Sequence, residues 1–219
     1  VEVSFMLYLI EGPDGSGKDT VINGLVENYF CEKFFTNFPS YKEETFSYTP
    51  EPTRKLMRDY LHGEGNVSPY VFQLANLIDK YMHNKSIREY KKDKGKIYLL
   101  NRWKPSGFIY GSIDMAEKEN FDLEVSKYLC SHMMELIEDP DGEICLMAAP
   151  EVLIERSKQR NENSVYENED FFYSITEMYM QFYRNRPNSC IIYTDDKTID
   201  ETCELVYDTI IEMEIAKNA

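Results

Sequence analysis

The sequence predicts a three-layer α/β/α fold around a parallel five-stranded sheet. Short, continuously apolar runs recur at Phe5–Ile10, Ile97–Leu100, Ile144–Ala148 and Cys190–Tyr193, with a weaker run at Lys33–Phe38. Helical patterns separate these runs. The first run leads directly into a glycine-rich turn that ends in a lysine, Gly12-Pro13-Asp14-Gly15-Ser16-Gly17-Lys18. Strands that are apolar throughout must be covered on both faces, and strands alternating with helices join by right-handed crossovers into a parallel sheet. Such crossovers align the C-terminal strand ends along one edge, where ligands bind. The glycine-rich turn, Asn101-Arg102 and Pro150 each follow a strand and are expected along that edge.

The helices follow in order. Lys18–Tyr29 opens at the glycine-rich turn. Thr53–Leu61 is short, with a stop signal in Gly63 and Gly65. Ser68 is placed to cap a long helix that begins at Pro69 and runs to about Lys92, since proline at the first helical position loses no hydrogen bond. Ser106–Glu119, Leu123–Ile137, Pro150–Arg160, Asp170–Arg184 and Ile199–Ala216 complete the set. No linker, repeat or low-complexity stretch divides the 219 residues, so one domain over 1–219 is expected.

Bulk properties narrow the function. With 24 Lys and Arg against 39 Asp and Glu, the net charge is −15. A surface that acidic repels nucleic-acid backbones, although a local basic pocket still suits a small phosphorylated ligand. The longest apolar run is too short to span a bilayer, and no signal-peptide layout is seen, so no membrane role and a cytoplasmic location are expected. The five cysteines lack zinc spacing and read as reduced thiols. The isolated His62, His83 and His132 carry no metal or triad spacing and read as structural or surface residues.

The turn fits G-x-x-x-x-G-K. Gly12, Gly15 and Gly17 let backbone N–H groups, with those of Pro13's neighbours and Ser16, point into one hollow. The helix start adds positive potential, and Lys18 reaches the phosphates of a nucleoside triphosphate. The residue after the lysine is ordinarily Ser or Thr, with a hydroxyl for Mg²⁺; here it is Asp19, followed by Thr20. Either Asp19, directly or through water, or Thr20 takes the metal. Arg102, at a strand end, is placed to hold an anionic group bidentately. Arg156 and Arg160 lie one helical turn apart and lead into a polar stretch, so a basic lid at about 157–168 is expected beside the alternative of a solvated helix end. Lys80, beside Asp79, reads alone as a solvated lysine. The 17 tyrosines and 12 phenylalanines identify no base-stacking site by themselves.

Five segments together resemble the thymidylate kinases, nucleoside monophosphate kinases of the phosphate-loop NTPase type. Glu11-Gly12-Pro13-Asp14-Gly15-Ser16-Gly17-Lys18 is similar to that family's E-G-x-D-x-x-G-K, and Phe38-Pro39 to its F-P. Asn101-Arg102-Trp103-Lys104-Pro105-Ser106-Gly107 is similar to D-R-Y-x-x-S-G, Tyr166-Glu167-Asn168 to Y-E-N, and the segment from Asp195 to Glu201 to the stretch before the last helix. The resemblance implies transfer of the ATP γ-phosphoryl group to dTMP with Mg²⁺, and a homodimer through long helices. It implies catalytic roles for Asp14, Lys18, Arg102 and Arg160, with Arg156 on the donor nucleotide. For the acceptor it implies Phe38, Pro39, Ser106, Gly107 and Tyr166, with Tyr110 crowding a ribose 2′-hydroxyl.

The carry-over is uneven on the acceptor side. Lys80 falls on a family arginine and Asn76 on a ring-stacking phenylalanine, with Phe72 one turn earlier as a substitute. Asn101 stands where the family has aspartate. With Gly15 in the loop and Arg160 on the lid stem, the chain resembles members that bring their catalytic cation from the lid. The alternatives are a kinase of another deoxynucleoside monophosphate, a modified pyrimidine included, and a deoxynucleoside kinase with Glu11 or Glu51 as base. A polyphosphate-dependent kinase and a non-catalytic nucleotide binder are further readings; Asp19 and Asn101 suggest the latter.

Overall fold

The structure is a computed structural model that describes residues 6–29, 31–35, 51–64, 66–92, 97–160 and 169–217. Its strands are β1 (Met6–Glu11), β2 (Cys31–Phe35), β3 (Ile97–Asn101), β4 (Gly142–Met147) and β5 (Ser189–Tyr193). Its helices are α1 (Lys18–Asn28), α2 (Glu51–Leu61), α3 (Pro69–Tyr90), α4 (Lys104–Glu119), α5 (Leu123–Met134), α6 (Pro150–Arg160), α7 (Glu169–Tyr183) and α8 (Ile199–Lys217). All strand pairs are parallel, in the order β2-β3-β1-β4-β5. The α/β class and parallel sheet expected from the apolar runs are found. The expected second strand, Lys33–Phe38, begins two residues earlier, at Cys31. Among the described strands it pairs only with β3, and a sheet edge needs no continuous apolar run, so the charged Glu32 and Lys33 conceal its start in the sequence.

Alternation along the strands builds the three layers. Tyr8 and Ile10 pack with Ile22 and Leu25 of α1 and Val206 and Ile210 of α8 on one face. Leu7 and Leu9 pack with Ile87 of α3 and Met133 and Met134 on the other. Ile109 and Tyr110 of α4 and Ile175 and Tyr179 of α7 extend that second layer over Cys145 and Met147. These strand residues are fully or almost fully removed from water, which at about 25 cal/mol per Å² of apolar surface is the main force holding the layers together.

Local signals fix the helix starts. The Ser68 hydroxyl accepts from Val71 N at 3.3 Å, with Pro69 at the first turn of α3 as expected. Thr198 and Glu201 exchange side-chain and backbone bonds in a capping box that opens α8. The chain leaves β1 toward β3 and β2 on one side and β4 and β5 on the other, so the loop after β1 lies at the topological switch point.

Candidate functional site

The glycine-rich loop is shaped by contacts that only glycine permits. Gly12 has φ +139°, and a Cβ there would overlap the Leu146 carbonyl oxygen of β4. Gly15 has φ +87°, and its Cβ would lie 2.7 Å from the Leu153 carbonyl oxygen of α6. The loop therefore rests on the backbone of two later elements. Lys18 follows at the start of α1. Its ammonium is folded back over the loop, donating to the Pro13 carbonyl at 2.7 Å and the Ser16 hydroxyl at 3.3 Å. Burial, helped by the nearby Arg102 cation, pushes its pKa down to about 7. The site thus holds a desolvated amine that gains its proton most readily when an anion enters.

Glu11, at the end of β1, joins this loop to α4. Its carboxylate is fully buried and accepts from Trp103 N at 2.7 Å and Ser106 N at 3.2 Å, the exposed donors of the α4 N-terminus, where Trp103 offers no cap of its own. It also accepts from Gly12 N, the Ser106 hydroxyl and the Tyr179 hydroxyl, at 3.3, 2.7 and 3.0 Å. A carboxylate engaged by five donors holds structure and has no capacity left to deprotonate a sugar hydroxyl, so the reading of Glu11 as a base is set aside.

Arg102 follows β3 in the left-handed conformation, φ +58°, a strained state for a residue with a side chain. Its N–H donates to the Ile10 carbonyl at 3.2 Å, and the turn aims its guanidinium back at the phosphate loop. There it pairs with Asp14, donates to the Ser106 hydroxyl at 3.1 Å and lies 5.2 Å from the centre of the Tyr110 ring. Tyr110 reciprocates with Asp14, accepting from its N–H at 3.2 Å and donating to its carboxylate at 3.1 Å. Burial works against the Arg102 charge, but Asp14 and its neighbours hold its pKa well above the ordinary value. The side chain is 10% exposed, so a strong cation is held nearly dry beside the loop.

A cavity of about 450 Å³ opens on the other side of the loop, lined by Gly15 to Val21, Arg156, Gln159, Thr194 and the start of α8. Arg156 braces it. One guanidinium nitrogen donates to the Thr194 hydroxyl at 3.0 Å and the Gly15 carbonyl at 3.4 Å, and the other to the Thr194 carbonyl at 2.9 Å. Asp19 and Thr20 line the same cavity and are exposed. Among the described residues, no three His, Cys, Asp or Glu side chains converge on a metal position. A Mg²⁺ ion here would fit a site of one or two protein oxygens completed by phosphates and water.

On α3 a polar ladder faces α4. Lys80 Nζ donates to Asn76 Oδ1 at 2.6 Å, and Asn76 Nδ2 reaches Gln73 Oε1 at 3.5 Å. All three are essentially buried, and burial pushes the Lys80 pKa down to about 7. A Cβ on Gly107 would stand 3.8 Å from Lys80 Nζ, so the ammonium lies at the start of α4, in the field of Arg102 and Glu11. The solvated reading of Lys80 is therefore replaced by a buried one.

The structure brings Asp14, Lys18, Arg102, Ser106, Gly107, Tyr110 and Lys80 to one corner and Arg156, Asp19 and Thr20 to the adjoining cavity. Phe72 is elsewhere in role: its ring is 1% exposed and stacked on Tyr60, with centroids 4.4 Å apart, inside the core between α2 and α3. Phe38, Pro39, Tyr166, Glu51's side chain and the Arg160 side chain lie outside the described residues, as does most of the expected lid. Gln73, Tyr179 and Thr194 join the site without having been singled out in sequence. Gln73 sits three residues before Asn76, a spacing that shares a helix face.

The thymidylate kinase family profile matches residues 10–206. A probable thymidylate kinase of Pyrobaculum aerophilum is 30% identical over 171 residues, 78% of this chain and 79% of its own length. One from Methanosarcina barkeri is 28% identical over 191 residues, 85% of this chain and 86% of its own. In fold, the chain is similar to the solved thymidylate kinase of Candida albicans, with a TM-score of 0.76, 19% identity, and 98% and 95% of the two chains covered. A profile match over most of the chain, with a 30% identical relative matched over more than two thirds of it, establishes that the protein belongs to the thymidylate kinase family and is a nucleoside monophosphate kinase.

Proposed function

We propose that the protein transfers the γ-phosphoryl group of ATP to dTMP, giving ADP and dTDP on the route to dTTP. The observation that carries this reading is the approach of two buried basic groups, Lys18 at the start of α1 and Arg102 just after β3, with Asp14 paired to Arg102. Lys18 and the loop N–H groups hold the donor phosphates, and Arg156 with Thr194 walls the donor cavity. Arg102 and Lys80 hold the acceptor phosphate, with Ser106 and Gly107 at the base of that pocket. A bound Mg²⁺ would neutralise the β- and γ-oxygens, held by Asp19 or Thr20. Asp14 orders the attacking phosphate oxygen through Arg102. That oxygen forms the new P–O bond as the bond to the ADP β-phosphate breaks, so no covalent enzyme intermediate is needed. Arg160 is assigned to the transferring group on closure of a lid at about 157–168, within one kinase domain.

Tyr110 beside Asp14 supports a deoxyribose acceptor. A second reading, another deoxynucleoside monophosphate or a modified pyrimidine, is favoured by the hydrogen-bonded Asn76–Lys80 pair and by Phe72 being engaged with Tyr60. A homodimer is supported by an exposed apolar stripe on α3: Val71, Leu74, Ile78, Tyr81 and Met82 recur at helical spacing. A cytoplasmic location is part of the same proposal; no helix among the described residues is long and apolar enough to cross a membrane.

The test is ADP release from Mg-ATP with each deoxynucleoside monophosphate and thymidine offered separately. Selective turnover of dTMP is expected. Turnover of a different monophosphate transfers the assignment to the second reading, and turnover of thymidine alone overturns both.

A further inference from the structure

Phosphate-loop enzymes ordinarily hold Mg²⁺ between a loop Ser or Thr, next after the lysine, and a strand-end aspartate. In this chain those places carry Asp19 and Asn101, so the carboxylate and the uncharged side chain have changed positions. Each departure taken alone reads as a lost ligand. The structure puts the two in contact: Asn101 Nδ2 donates to Asp19 Oδ1 at 2.6 Å. Asn101 is 4% exposed at the end of β3, while Asp19 is exposed in the first turn of α1 and lines the donor cavity beside Lys18.

We propose that this is a reciprocal exchange, in which Asp19 supplies the protein carboxylate to the nucleotide-bound metal and Asn101 is the positioning residue that holds it. The assignment rests on the reading of the site as a Mg-nucleotide site and selects between the two metal residues that reading leaves. Three features support it. The number of carboxylates is conserved, so the site keeps one negative group for a divalent cation. The Asn101 amide engages one oxygen of Asp19, and the other suffices for a single inner- or outer-sphere contact, all that Mg²⁺ requires where phosphates and water complete its shell. Successive helical residues are rotated by about 100°, so with Asp19 turned to the β3 end, Thr20 is turned away from it.

The experiment measures Mn²⁺ binding to the full chain with a non-hydrolysable ATP analogue by electron paramagnetic resonance, alongside metal-free analogue affinity. Asp19→Thr should weaken Mn²⁺ at least tenfold and leave metal-free affinity within about threefold, which also reports that the variant is folded. Adding Asn101→Asp to Asp19→Thr should restore Mn²⁺ affinity to within about threefold of the wild type, a rescue that a purely structural hydrogen bond would not produce. Thr20→Val should leave Mn²⁺ binding near the wild-type value. Unchanged Mn²⁺ affinity in Asp19→Thr, a double variant no better than the single, or loss in Thr20→Val overturns the assignment alone. Failure of the wild type to bind the analogue overturns the nucleotide-site reading, and this assignment with it.

Discussion

On the donor side, the phosphate loop is held by backbone: Gly12 and Gly15 touch carbonyls of β4 and α6, and Glu11 gathers five donors. On the α3 side, the acceptor wall is held by side chains bonding to one another, Lys80 to Asn76 to Gln73. The first arrangement tolerates almost no change in residue type, because a carbonyl cannot move aside. The second can be rewritten one side chain at a time without disturbing the sheet. Changes at Lys80 and Asn76 therefore leave the backbone-held loop intact, so the reaction is expected to be robust and the choice of acceptor adjustable.

That contrast can be broken by mutation. Lys18→Ala and Arg102→Ala are each expected to lower turnover at least about a hundredfold, since each removes a pre-oriented cation from a nearly dry site; steady-state kinetics with saturating acceptor measures this. Glu11→Gln should cost about 3 kcal/mol of stability, because the amide presents N–H where several donors already point. Urea denaturation of the purified variant provides the number, and an unchanged midpoint would show that the five bonds are dispensable. Lys80→Ala should raise the acceptor KM about tenfold while leaving the ATP KM unchanged, the loss of one charge-assisted contact. A parallel rise in both constants would erase the distinction between the two regions.

The smallest effect concerns Lys18 protonation. With its pKa pushed down to about 7 in the free protein, the amine is mostly neutral at pH 8, and donor phosphates favour the charged form. Binding at pH 8 should therefore take up about one proton, fading to none below about pH 6, as titration calorimetry in buffers of different ionisation enthalpy would register. For the unliganded protein the sign is set by the same shift. The unfolded chain binds more protons here between pH 7 and the ordinary lysine value, so this group's contribution to stability rises with pH across that window.

Much of this could be read in advance where local chemistry decides. The apolar runs gave the sheet, Ser68-Pro69 a helix start, and the glycine-lysine turn a phosphate site. Arg102 followed from its place after a strand. What escaped depended on distant partners. Glu11 resembles a free acid in sequence, and only the approach of α4 and α7 reveals that its oxygens are already engaged. Lys80 reads as a surface lysine until α4 covers it. Phe72 is aromatic at a suitable position, but Tyr60 of α2 takes one of its faces. In each case the deciding neighbour is remote along the chain.

The overlap that any side chain at Gly12 would have with Leu146 carries a consequence for biosynthesis. The signature from Glu11 to Lys18 leaves the ribosome early, yet the floor it lies on is β4, about 130 residues later. A nascent chain displaying β1, α1 and β3 possesses the motif without the hollow. Competence to grip a triphosphate therefore arises late in translation, once β4 has docked alongside β1. Ribosome-bound fragments ending before Gly142 would be nucleotide-blind, however complete their signature.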